Sequence, residues 1–193
     1  VETLIRDPYA VYARHILDLR ALDPIDADPG AAEQGTFVHH ALDAFLRAYP
    51  EDLPDDALAH LLAIGRTKLR SMADRPGVRA FWWPRFERVA DWFLAHERGR
   101  RPDIERSLTE IKGSLEFEAP AGRFTLNATA DRIDVLADGT IAIVDYKTGT
   151  LPTKRDIEDG ASPQLPLEAA IASAGGFAAI TPAAVADLAY WRL

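Results

Sequence analysis

Asp131-Arg132-Ile133-Asp134-Val135-Leu136-Ala137-Asp138-Gly139-Thr140-Ile141-Ala142-Ile143-Val144-Asp145-Tyr146-Lys147-Thr148-Gly149 is the stretch that decides the fold. Asp-Gly between apolar runs is a strong hairpin signal, and Ile141-Ala142-Ile143-Val144 reads as a buried strand. With Asp138 and Gly139 at the centre of a two-residue turn, Ala137 pairs with Thr140 and Val135 with Ala142. Asp131 then falls within about one residue of Asp145. Carboxylates facing each other across roughly 5 Å repel unless a proton or a cation neutralises them, and a divalent metal is the natural neutraliser. Alternation puts Asp145 and Lys147 on one face and Tyr146 on the other. A carboxylate and an ammonium so placed can bind Mg²⁺ while the lysine orients or helps deprotonate an attacking water, as phosphodiester hydrolysis requires.

Working outward, Phe124, Leu126 and Ala128 alternate with Thr125, Asn127 and Thr129, and Leu115 and Phe117 alternate with charged neighbours. Ala119-Pro120-Ala121-Gly122 turns between them, so the region from about Thr109 predicts a three-stranded antiparallel meander. Ser162-Pro163 caps a further helix with Leu165, Ala169 and Ala172 on one face, and residues 185–193 give a last strand. Toward the N-terminus the period is helical. Asp7-Pro8 starts a helix through Leu17, and a loop holds Pro24 and Asp28-Pro29-Gly30. A second helix begins near Gly35 with Val38, Leu42, Phe45 and Tyr49 at helical spacing, and a third near Pro54 with Leu58, Leu61, Leu62 and Leu69. After a break at Arg75-Pro76-Gly77, a fourth begins near Pro84 with Phe86, Val89, Ala90 and Phe93. The expectation is a helical region over residues 1–106 and an α/β (α+β) core over 107–193, together one compact unit. The sheet is mainly antiparallel and flanked by helices.

The 193 residues suffice for one medium domain with a real core. A hydrophobic share of 48% and a charged share of 27% match globular proteins, and no uninterrupted apolar run is long enough to span a bilayer. The chain opens at Val1 with no leader-like segment and stops within a strand, as a piece of a longer polypeptide would. With no cysteine there is no disulfide, thiolate nucleophile or Cys-bound metal. A net charge of −8 argues against nucleic acid only if the acidic residues are spread evenly, since a cation-binding site is itself acidic.

Four motifs occur in order: Gly35-Thr36-Phe37-Val38-His39, Asp131-Arg132-Ile133-Asp134, Val144-Asp145-Tyr146-Lys147-Thr148-Gly149, and Gln164-Leu165-Pro166-Leu167. Together they resemble the RecB/AddB branch of the PD-(D/E)XK nuclease superfamily. The Gln-Leu-Pro-Leu start and the helical region before the core favour the nuclease domain at the C-terminal end of an AddB-type helicase–nuclease subunit. The resemblance implies a restriction-endonuclease-like core and a Mg²⁺- or Mn²⁺-dependent deoxyribonuclease that processes double-strand DNA ends for recombinational repair. The metal ligands it implies are His39, Asp131, Asp145 and the backbone carbonyl of Tyr146, with Lys147 activating water and Gln164 supporting the metal or a phosphate. It further implies as partners DNA, the helicase portion of the same polypeptide and a second helicase–nuclease subunit, with a cytoplasmic, nucleoid-associated location in a bacterium. The rival expectation is an inactive nuclease fold kept for DNA-end binding or subunit docking.

The pattern is broken in three places. Ala128 replaces a glycine, Glu168 replaces a tyrosine and so takes no family role, and the absent cysteines remove the iron–sulfur cluster of many relatives. Asp7, where a cluster cysteine often stands, would cap its helix instead, an effect of about 1 kcal/mol. Glu110 or Glu116 would supply a further acid near the metal, Glu110 being preferred.

Alone, Asp145 and Lys147 read equally well as a strand-end ion pair, and His39 reads more often as a packed or surface histidine; the motif order favours a site. His40 reads as exposed, and Arg132 as paired with Asp134 or another acid. Phe81-Trp82-Trp83 reads as core or interdomain packing rather than a base-stacking platform. Arg98, Arg100 and Arg101 read equally as a phosphate contact or a solvated helix end.

Overall fold

A computed structural model describes residues 2–19, 30–72 and 76–193. Two short helices, α1 (Glu2–Arg6) and α2 (Pro8–His15), come first, and the Asp7 carboxylate caps α2 by accepting from the Ala10 amide at 3.0 Å. The loop expected around Pro24 and Asp28-Pro29 lies outside the described residues, as does Arg75. Helix α3 spans Ala31–Ala48, starting four residues before Gly35, because Glu33 accepts the Gly30 amide at 2.9 Å and fixes the first turn. Helix α4 is Ala57–Met72 and α5 is Pro76–Arg100. Pro84 lies inside α5 instead of opening a helix, and Pro76 takes the initiating role.

A short 3₁₀ turn, Arg101–Asp103, leads into the sheet of β1 (Ile104–Ala119), β2 (Gly122–Leu136), β3 (Ile141–Lys147) and β4 (Val185–Arg192). Their spatial order is β1-β2-β3-β4, the first three antiparallel and β4 parallel to β3. The crossover between β3 and β4 holds α6 (Lys154–Glu158), which the sequence reading missed, and α7 (Gln164–Ser173). This is a mixed α/β fold consistent with a restriction-endonuclease-like architecture, its four-stranded sheet preceded by a helical region.

The sheet separates two apolar clusters. Phe37, Leu42 and Phe45 of α3, Leu61 of α4, and Phe86 and Phe93 of α5 pack over Val144, Tyr146 and Trp191. On the other face Leu165 and Ile171 of α7, with Phe177, pack over Ala130, Ile133, Ile141 and Ile143. Alternation along β3 therefore sends Tyr146 into the first cluster, while Asp145 follows Ile143 toward α7.

The β2–β3 register corrects the two-residue turn. Val135 pairs with Ile141 and Arg132 with Val144, one residue away from expectation. The loop has three residues, Ala137 to Gly139: Leu136 N–H donates to Thr140 O at 2.8 Å, Gly139 N–H donates to Leu136 O at 2.9 Å, and Gly139 has φ +82°. This is a type I turn closed by a left-handed glycine. Continued one step further, the register sets Asp131 directly across from Asp145.

Between β1 and β2 the alternation itself is interrupted. Leu108 and Ile111 reach the same cluster although three residues apart, and so do Ala130 and Ile133. Thr109 pairs with Arg132 and Ile111 with Ala130, so the interruption falls where Glu110 faces Asp131. Glu110 has φ +50°, a left-handed conformation that costs a side-chain-bearing residue on the order of 1 kcal/mol.

Candidate active site

Strands β1, β2 and β3 deliver Glu110, Asp131 and Asp145 to one end of the sheet, where α3 and α7 converge. His39 reaches this end because α3 lies close to the residues that follow β3: a Cβ on Gly35 would stand 3.0 Å from Thr148 Oγ1. His39 Nε2 is 2.9 Å from the Tyr146 carbonyl, and Nδ1 is 3.4 Å from Asp131 Oδ1. Burial works against a charged imidazole here. The hydrogen bond and charge of Asp131, the Tyr146 carbonyl and the charge of Asp145 outweigh it, so the His39 pKa lies above its ordinary value.

Asp131 is held at its other oxygen, with the Tyr146 amide donating to Oδ2 at 2.8 Å. Asp145, almost fully buried, faces Lys147: Nζ lies 3.1 Å from Oδ1 and 2.9 Å from Oδ2, the second without hydrogen-bond geometry. Gln164 completes the arrangement. Its amide nitrogen donates to Asp145 Oδ1 at 2.5 Å and its oxygen accepts from Lys147 at 2.9 Å. Burial raises the Asp145 pKa; Lys147 counters this and the Asp131 charge adds to it.

The structure thus brings together His39, Asp131, Asp145, Tyr146, Lys147 and Gln164, and with them Glu110, the acid that the sequence favours over Glu116. It adds Glu168. Glu110 offers an oxygen within 4.8 Å of ligand atoms of His39 and Asp131, and burial, then the charges of Asp131 and Asp43, raise its pKa. Glu116 lies far along the same strand, exposed and 3.4 Å from Arg123. Glu168, one turn after Gln164 on α7, accepts from the Gln164 amide nitrogen at 3.2 Å and is 2% exposed. Burial pushes its carboxyl up to about 7; the Gln164 hydrogen bond opposes this, the charges of Asp145 and Asp131 reinforce it, and Lys147 opposes it. The i, i+4 spacing of Gln164 and Glu168 is the sequence signal for this contact.

Hard carboxylate oxygens with one imidazole suit Mg²⁺ or Mn²⁺. The fit is supported by His39, both of whose ring nitrogens face oxygens, so that a proton on this ring stands where a cation would neutralise the same acids. Arg6, unremarked in the sequence, joins Lys147, Gln164, Ser162 and Tyr190 around an adjoining cleft of about 260 Å³.

Behind the site lies a buried ionic network on the opposite face of β2. Arg132 is fully buried, donates to Asp134 Oδ1 at 2.6 Å and pairs with Glu97 of α5. The pairing read for Arg132 holds. The solvated-end alternative fails for Arg100, which is 3.0 Å from Asp134 Oδ2, and for Arg101, which is 3.3 Å from Glu97 Oε2 and donates to the Tyr49 carbonyl at 2.7 Å. Of the aromatic run, Trp82 is core and stacks on Phe37, Trp83 donates to Glu87, and Phe81 is exposed. His40 is exposed as expected.

The whole chain, residues 1–193, matches the PD-(D/E)XK nuclease superfamily. It is 35% identical over 177 residues to a protein of Rickettsia bellii (strain RML369-C), and 34% identical over 181 residues to one of Rickettsia typhi (strain ATCC VR-144 / Wilmington), both described as uncharacterized. Each alignment covers 92% of this chain and 21% of the relative, so the chain spans about a fifth of the length of the curated relatives it matches. On the full-length family match, the chain belongs to the PD-(D/E)XK nuclease superfamily.

Proposed function

We propose that this chain is a metal-dependent deoxyribonuclease that hydrolyses phosphodiester bonds to leave a 5′-phosphate and a 3′-hydroxyl. The observation that carries the reading is the convergence of His39, Glu110 and Asp131 beside the Asp145–Lys147–Gln164 cluster. A divalent metal, when bound, polarises the scissile phosphate and lowers the pKa of a coordinated water. His39, Glu110, Asp131, Asp145 and the Tyr146 carbonyl would hold it. Lys147 directs N–H donors at Asp145 and Gln164, which holds the ammonium beside the carboxylates, where a water or a phosphate oxygen would take its remaining donor. Gln164 fixes that aim by giving Lys147 its oxygen and Asp145 its nitrogen.

DNA as the substrate is supported by a local cationic surface within an acidic chain. Arg85, Arg88 and Arg192 line a groove of about 450 Å³ together with Gln34 and Thr148, next to the end of β3. The order of the four motifs, and relatives more than four times as long, support a place in a helicase–nuclease that processes DNA ends, with the helicase portion and a second subunit as partners.

The test is incubation of the purified chain with Mn²⁺ and end-labelled single- and double-stranded DNA. Cleavage that is lost in Asp145→Ala is expected. No cleavage of either substrate, or cleavage untouched by Asp145→Ala, sinks the reading.

A further inference from the structure

Acids outnumber lysines and arginines in this chain by 30 to 22, and arginines such as Arg100, Arg101 and Arg132 have a carboxylate beside them. Six others do not. Arg85, Arg88 and Arg192 line the groove next to Thr148, and Arg66, Arg70 and Arg79 line a second groove of about 420 Å³ between α4 and α5. Among the described residues none of these six is ion-paired: Arg85 reaches the Gln34 side chain at 3.4 Å, and Arg66 lies over the Trp83 ring at 5.0 Å. Helix α4 itself carries no acid. Guanidinium groups gathered along concave surfaces raise the local positive potential and draw anions despite an acidic total.

A bare ring stands between the two grooves. Phe81 is 78% exposed. Its neighbours Ala80 and Pro84 line the α4–α5 groove, whereas Arg85 and Arg88, at i+4 and i+7 from it on α5, line the other. A lone exposed phenylalanine needs no explanation, but this one shares a helical stripe with two unpaired arginines. From Arg79 to Arg88 the cations extend about 13 Å along the helix at 1.5 Å per residue. Phosphates spaced along a strand can meet such arginines while an unpaired base stacks on the ring. A duplex offers the same phosphates but keeps its bases stacked inside. A hydrophobic partner would cover the ring only by taking the neighbouring guanidinium groups out of water without a counter-charge.

We propose that the outer stripe of α5 holds an unpaired nucleic-acid strand, one base stacking on Phe81 while Arg79, Arg85 and Arg88 take the flanking phosphates. Thr148, in the same groove as Arg88, directly follows Lys147, so the strand is led toward the acids at the end of the sheet. The inference rests on the reading of DNA as substrate above and adds the surface that selects a single strand.

The experiment measures binding of the full chain in EDTA, where no cleavage competes, to a labelled single-stranded oligodeoxynucleotide, an abasic strand of equal length and a duplex, by fluorescence anisotropy over a range of salt. The wild type is expected to bind the base-bearing strand about 5-fold or more tighter than the abasic one. Phe81→Ala is expected to lose that margin with abasic binding unchanged, and Phe81→Trp to keep it; Phe81→Gln repeats the removal of the ring should Phe81→Ala misfold. Arg85→Gln and Arg88→Gln are each expected to weaken both strands alike and to lower the salt slope by about 0.7. Equal binding of the two strands by the wild type, no binding, or tighter binding of the duplex overturns the proposal. A margin retained without the ring also overturns it and assigns Phe81 to a protein contact. Cleavage assayed in parallel with Mn²⁺ keeps the two readings apart: base-dependent binding without cleavage overturns the nuclease and leaves the strand site standing, whereas cleavage without base-dependent binding overturns the strand site alone.

Discussion

The backbone amide of Tyr146 donates to Asp131 Oδ2 at 2.8 Å, at the point where the β2–β3 ladder stops after Arg132 and Val144. A carboxylate supplies what would have been the next rung, so the strand that carries Asp145 also fixes the orientation of Asp131. Asp131→Asn keeps an acceptor for the Tyr146 amide while deleting the charge. It is expected to lose Mn²⁺ affinity and about 100-fold or more of cleavage with little change in stability. Asp131→Ala leaves the amide unpaired and costs a further ~1–3 kcal/mol. Urea unfolding of the two variants beside a cleavage assay separates the roles.

Lys147 is expected to act by geometry as well as charge. Lys147→Ala removes the cation beside buried Asp145 and the donor to Gln164, and about 100- to 1000-fold of activity is expected to go with it, in keeping with the loss of one preorganised electrostatic group. Lys147→Arg, with a planar fork in place of a compact ammonium, is expected to recover less than a tenth of the wild-type rate. Single-turnover cleavage at saturating Mn²⁺ is the measurement.

Glu168 makes the metal-free protein sensitive to pH. Its folded-state pKa of about 7 lies above the ordinary 4.5, so between these values the folded state holds the extra proton. Stability is then full below 4.5 and falls as pH rises toward 7, by on the order of 3 kcal/mol. Thermal unfolding in EDTA at pH 5 and pH 8 is expected to show a larger loss for wild type than for Glu168→Gln. Equal losses contradict the assignment.

Arg132 bridges Glu97 of α5 and Asp134 of β2 within the protein interior. Arg132→Met removes the cation that bridges two buried carboxylates, leaving Asp134 to Arg100 and Glu97 to Arg101, and is expected to destabilise by about 3 kcal/mol. Arg132→Met combined with Glu97→Gln and Asp134→Asn is expected to recover part of that loss, as denaturant midpoints would show.

Local chemistry carried much of this into the sequence. Asp138-Gly139 announced the hairpin, and alternation placed Asp145 and Lys147 on one face. What stayed hidden depended on long-range geometry. The sequence favours Glu110 over Glu116 as a further acid, but does not show the means by which it joins His39 and Asp131: β1 changes face at that residue, a departure from alternation that no pattern rule anticipates. Glu168 is buried by the packing of α7 on the sheet, so its place beside Asp145 was invisible in a helix read for apolar periodicity. The one-residue error in register came from assuming the shortest Asp-Gly turn, when the left-handed Gly139 closes a three-residue loop instead.

That loop acts as a ruler. Exposed hairpin tips ordinarily tolerate added or missing residues, because few contacts depend on them. Here each residue is committed: Ala137 N–H to the Asp103 carbonyl at 3.0 Å, Asp138 to the Thr140 amide at 2.9 Å, Gly139 to the left-handed closure. A strand that slips by one position presents its opposite side. One residue more or fewer between Leu136 and Thr140 would carry Asp131 past Asp145 and turn it from the acids it faces. A site six residues of chain away on either side is thus measured out at the molecule's surface, and natural variants of this protein should differ there in side chain but not in length.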